Sequence, residues 1–118
     1  MKVEEVLDKG FSAHANVKSR LKRIIKGEEE ATPESVKADN LCIIGEWIYG
    51  PGKEYEGLSE FQNLKEIHKN FHLAAHDALC LHRDGNEQAA MDYVETGPFE
   101  ERSKEIKTAI FELKSKVK

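Results

Sequence analysis

Residues 59–83 read SEFQNLKEIHKNFHLAAHDALCLHR, without a proline or a glycine. At about 100° per residue, with His68 at zero, Phe61, Leu64, Phe71, His72, Ala75 and Leu79 all fall within about 60° of one direction. That is the stripe of a helix packed on a core. Ser59 is placed to cap it, and Asp84-Gly85-Asn86 turns the chain after Arg83. Upstream, Gly50-Pro51-Gly52 stops a short helix expected from Asp39 to about Tyr49. Before that, Thr32-Pro33-Glu34 opens a polar connection with room for a helical turn. A first helix is expected from about Val3 to Lys26, because Val3, Leu7, Gly10, His14, Leu21 and Ile25 share one face within roughly 40°. Downstream, Glu87 to Val117 reads as a last helix interrupted at Gly97-Pro98, with Phe99, Ile106, Ile110, Leu113 and Val117 in one apolar stripe. The expected fold is all-α: an antiparallel four-helix bundle with short loops, in which Cys42 rides on an extra short helix.

The 118 residues suit a single domain spanning 1–118 with one modest core. Charged residues at 34% against 39% hydrophobic describe a bundle with solvated outer faces. The net charge of −4 leaves no basic stripe for a nucleic acid, and Lys22, Arg23 and Lys26 read as a solvated helix face. No apolar run approaches the ~20 residues that span a bilayer. Met1-Lys2-Val3-Glu4-Glu5 lacks the apolar core of a signal peptide. Two cysteines, Cys42 and Cys80, are too few to staple a secreted domain, so a reducing cytoplasm is expected.

The chemistry lies in the histidines His14, His68, His72, His76 and His82. His68 and His72 sit on the apolar stripe one turn apart, and His14 shares the inner face of the first helix. His76 lies at the stripe's edge. His82 points inward but is about 15 Å along the axis from His72, at ~1.5 Å per residue. Burying three rings without partners costs roughly 1–3 kcal/mol for each unsatisfied group. Either each ring finds a local hydrogen bond, or the three share an ion. Cys42 favours the ion: one thiolate and three imidazoles make a tetrahedral donor set for zinc, while sulfur disfavours magnesium and calcium. Gly45 lets a neighbour approach this segment, and Trp47 offers an apolar anchor.

Leu41-Cys42-Ile43-Ile44-Gly45-Glu46-Trp47 resembles the Cys-x-apolar-Gly-x-Trp signature of the chemoreceptor zinc-binding (CZB) domain family. His68-Lys69-Asn70-Phe71-His72 resembles its His-x-x-x-His pair, and His14-Ala15-Asn16-Val17 its leading histidine. Val17 departs from the aromatic or leucine usual at that packing position. Gly97-Pro98-Phe99, with Ser103 beyond, resembles the family's last helix. The resemblance implies a four-helix bundle, often a homodimer, with zinc on His14, Cys42, His68 and His72. His72-Leu73-Ala74-Ala75-His76 has the same spacing, but direction favours His68 and His72. The resemblance further implies a cytoplasmic sensory part of a chemoreceptor or a diguanylate cyclase, responding to zinc or to hypochlorous acid through the zinc-bound cysteine. Neither output domain lies within the 118 residues, so the chain reads as a stand-alone member or a piece of a longer protein.

Zinc catalysis normally leaves a water in the fourth position, and a closed set of four ligands does not. The chain is therefore read as a sensor, not an enzyme. A purely structural zinc bundle is the main alternative. A hemerythrin-like di-iron protein fits less well, because Glu66 and Asp77 lie off the core face. His76 is assigned the solvent edge of the site and Cys80 a structural or partly exposed position.

Overall fold

The computed structural model describes residues 2–30 and 42–117. Helix α1 spans Val3–Ile25, α2 Ile43–Ile48, α3 Ser59–Arg83, α4 Glu87–Glu95 and α5 Pro98–Val117, with a 3₁₀ turn over Pro51–Tyr55. No strand occurs among the described residues, and the fold is all-α. The expected ends of the first and third helices hold within a residue, because both are written in local chemistry. Gly27 (φ 82°) and Gly85 (φ 86°) take the left-handed conformation that stops α1 and α3. Behind them Glu28 N–H donates to Arg23 O, and Asn86 N–H to Leu81 O, each closing a Schellman turn. At the last expected break, Pro98 opens α5 as its first residue, where a missing N–H costs nothing.

Side-chain contacts fix the helix directions. Lys18 pairs with Glu100 at 2.9 Å and Lys114 with Asp8, so α1 and α5 run antiparallel. Phe71 meets Phe99 (centroids 5.2 Å apart) while Tyr93 O–H donates to Asp77, so α3 runs antiparallel to α4 and α5. Hence α1 and α3 run the same way, and the chain between them must return along the bundle. Among the described residues between Ile25 and Ser59, the regular elements are α2 and the 3₁₀ turn. Asp39–Leu41 of the expected short helix, and the Thr32-Pro33-Glu34 turn, lie outside the described residues.

One expectation is corrected at Ser59. It takes the first helical position of α3, and Leu58 stands at the cap without a side-chain bond. Leu58 packs against the core, and its carbonyl accepts from both Phe61 and Gln62. The core runs the length of the bundle through Leu7, Leu21, Phe61, Phe71, Phe99 and Ile106, all nearly or wholly buried. Each such side chain contributes about 1.5–3 kcal/mol. Trp47 anchors the return segment, 5.8 Å from the Tyr55 ring and 5.7 Å from Phe61.

Candidate metal centre

Three helices hold the four site residues. His14 lies buried in the middle of α1, and its Nδ1 donates to Gly10 O at 2.7 Å. A carbonyl can only accept, so the proton sits on Nδ1 and the Nε2 lone pair faces the bundle interior. His68 and His72 stand one turn apart on α3, the first fully buried and the second half-buried. Cys42 is the N-cap of α2: its Sγ accepts from the Gly45 N–H at 3.3 Å. Gly10 carries the docking of α2 on α1, since a Cβ there would sit 2.1 Å from Ile44 Cδ1.

These supports bring the four side chains to one point. Cys42 Sγ is 3.0 Å from His68 Nε2, 3.6 Å from His72 Nε2 and 3.8 Å from His14 Nε2, and the α3 pair is 3.2 Å apart. All four donor atoms lie within 4.8 Å of one another. Zn–N bonds of about 2.0–2.1 Å and a Zn–S bond of about 2.3 Å give a tetrahedron with edges of about 3.3 Å (N to N) and 3.6 Å (S to N). The observed separations straddle those lengths, so the residues fit one zinc ion. The ring edges are consistent with this: His14 crosses His68 and His72 near perpendicular, which lets the lone pairs converge without stacking.

Burial prepares the imidazoles as ligands. Desolvation, with lesser contributions from the neighbouring rings of His72 and His14, lowers the pKa of His68 to about 2. His14 falls to about 4 by desolvation, against the opposing Gly10 hydrogen bond and with help from His72. Both are neutral at physiological pH, as metal ligation requires. The buried Nδ1 of His68 has no hydrogen-bond partner, a cost of about 1–3 kcal/mol unless the ring is repaid at its other nitrogen. A pH dependence follows. Both folded-state values lie below the ordinary value of 6.5, so the unfolded chain takes up protons first. Stability of the metal-free protein is full above pH 6.5 and falls as pH drops from there, through about 4 for the His14 share and toward about 2 for the His68 share. Denaturant melts at pH 7.5, 6 and 5 check this; an unchanged midpoint refutes it.

All four residues picked from the sequence thus converge, and His76 and His82 stand apart. His76 contacts Asp77 and Cys80 instead. Sequence reasoning missed two supports, the capping role of Cys42 and the double role of Gly10. The one available signal for Gly10 was a glycine four residues before His14 on the same face.

A family model of the chemoreceptor zinc-binding domain matches residues 14–79, a stretch that begins at His14 and encloses Cys42, His68 and His72. The chain belongs to that family. No curated protein and no solved structure matches it. In this chemoreceptor zinc-binding domain the matched stretch ends within α3, and beyond it α4 buries Ala90 and Val94 and α5 buries Phe99, Ser103 and Ile106. No described helix is long and apolar enough to cross a membrane.

Proposed function

We propose that the chain binds one zinc ion through His14, Cys42, His68 and His72 and serves as a sensory or regulatory domain. The observation that carries this is the convergence of three Nε2 atoms and one Sγ at tetrahedral spacing. Four protein donors leave no position for a reacting water, which supports a binding role over an enzymatic one. The domain acts in the cytoplasm, where its two thiols stay reduced, as a part or partner of a chemoreceptor or diguanylate cyclase. A second copy pairs with it along α1 and α5, covering the exposed Phe11 and Phe111.

The signal is zinc itself or an oxidant such as hypochlorous acid. A bound zinc holds the Cys42 sulfur as a thiolate at neutral pH, where a free thiol of pKa near 8.5 is only a few per cent ionised. Attack on hypochlorous acid joins oxygen to sulfur and expels chloride, giving the sulfenic acid and one weaker ligand. Because Cys42 caps α2, losing that ligand unties the start of α2 from α3, leaving the seat of Ile44 on Gly10 and the packing of Trp47 on Phe61 to hold the helix. A purely structural zinc bundle is the competing reading, since it needs the same donors.

Two measurements separate these readings. Elemental analysis of untagged protein is expected to find about one zinc per chain and little iron; two irons, or no metal after zinc loading, would sink the proposal. Sub-stoichiometric hypochlorous acid is expected to oxidise Cys42 before Cys80 and to release zinc to a dye. Oxidation confined to Cys80 and the methionines, with zinc retained, leaves the structural reading.

A further inference from the structure

Among the described residues three polar side chains are buried, His14, His68 and Ser103. The metal centre accounts for the two histidines and not for the serine. Ser103 stands on the inward stripe of α5, 2% exposed, where the other buried residues, Phe99, Ile106, Ala109, Ile110 and Leu113, are all apolar. A hydroxyl in such a place costs free energy unless it makes hydrogen bonds. His68 has the complementary need: its Nε2 is turned to Cys42 and His72, and its buried Nδ1 has no partner. His14 meets that need by donating to the carbonyl four residues back, Gly10 O, but His68 makes no such bond to Leu64 O. The register of the two helices puts serine and imidazole at one level. Phe71 meets Phe99 at 5.2 Å, and α3 and α5 run antiparallel. From that contact His68 lies three residues back, about 4.5 Å, and Ser103 four residues on, about 6 Å in the same direction. Their neighbours Ile67 and Lys104 line one groove between the helices, which agrees with that level.

We infer that Ser103 is a positioning residue for His68: its hydroxyl oxygen accepts the Nδ1–H and so holds the ring with Nε2 toward the zinc, an inference that rests on the zinc reading above. Zinc on Nε2 leaves the one proton of the neutral ring on Nδ1. A metal-bound histidine almost always donates that second N–H to an oxygen, which fixes both tautomer and ring orientation. The serine hydroxyl has two lone pairs to receive it, and its own proton has an outlet in the carbonyl four residues back along α5. Rotation of the short side chain about χ1, from one staggered position to another, is the only movement asked of Ser103. In this way α5, which lies beyond the matched stretch and supplies no ligand, takes part in setting the metal site.

Ser103→Ala in the full chain is the test, because alanine suits a helix interior and only the hydroxyl is lost. Zinc affinity, by competition against a chromophoric chelator, is expected to fall about tenfold to a hundredfold, the usual cost of losing an outer partner of a metal ligand. The metal-free variant should melt no lower than the parent, which separates positioning from a fault in the fold. Proton and nitrogen-15 spectra of the zinc-loaded parent are expected to show a slowly exchanging His68 Nδ1–H. In Ser103→Ala that signal shifts and exchanges faster, while the His14 Nδ1–H, held by Gly10 O, keeps its place. Parent-like affinity, or a His68 signal that the substitution does not move, overturns the role of Ser103 and leaves the zinc site standing. A parent chain that binds no zinc overturns the site itself, and this inference with it.

Discussion

His68→Ala is expected to cost far more zinc affinity than His76→Ala, although both remove an imidazole from the same helix. His68 Nε2 stands 3.0 Å from the Cys42 sulfur and 3.2 Å from His72 Nε2, at the centre of the donor set. Its loss leaves three donors and a buried void. The expected loss exceeds the roughly 10–100-fold that disturbing an outer partner of a metal ligand costs. His76 faces Cys80 instead, so His76→Ala should leave equilibrium affinity close to that of the parent. Because zinc binds the folded chain, the same substitution removes linked stability. A ligand at a thousand times its Kd contributes about 4.1 kcal/mol, so melting with and without a chelator should converge in His68→Ala and stay apart in His76→Ala. A competition titration against a chromophoric chelator decides the affinities. Equal losses in the two variants would move the ligand pair one turn along α3.

That contrast was legible in the sequence because helical periodicity converts residue number into direction. His68, Leu64 and Leu79 share an angle, and all three are buried. The bounds of α3 were legible too, since Asp84-Gly85-Asn86 is turn chemistry acting on its immediate neighbours. What failed was whatever depends on distant chain. Ser59, with Gln62 three residues on, has the pattern of a capping box, but Gln62 Nε2 donates to Glu56 O at 2.8 Å and the core holds Leu58 at the cap. The parallel course of α1 and α3 follows from ion pairs such as Lys114 with Asp8 that no local window contains. The donor residues could be named from their types and angles. Their supports could not, because Gly10 matters only through what α2 places on it.

Gly10→Ala is expected to weaken both the fold and the metal site, against the trend for the middle of a helix. In an exposed helix interior, alanine is favoured over glycine by about 1 kcal/mol. Here a Cβ would lie 2.1 Å from both Ile44 Cδ1 and Ile44 Cγ1. Ile44 is wholly buried, so it has no solvent to retreat into. The contact is relieved by lifting α2 from α1, and overpacking of this kind costs about 1–3 kcal/mol. Lifting α2 carries Cys42 with it, because that residue is the cap of the same helix. The His14 bond to the residue-10 carbonyl survives the substitution, so any change in zinc affinity reports movement of the sulfur rather than loss of an imidazole support. Affinity should fall about tenfold or more, in the range seen when a ligand's support is disturbed. Lys9→Ala, on the exposed face one residue away, is the control and should change neither quantity. Ile44→Ala alone is expected to cost 2–5 kcal/mol, as is usual for about three buried carbons lost. Combined with Gly10→Ala it should cost less than the sum, because the new methyl then fills the space that Ile44 vacates. Strictly additive stabilities, or a Gly10→Ala protein that binds zinc like the parent, would show that α2 reaches its place without resting on Gly10.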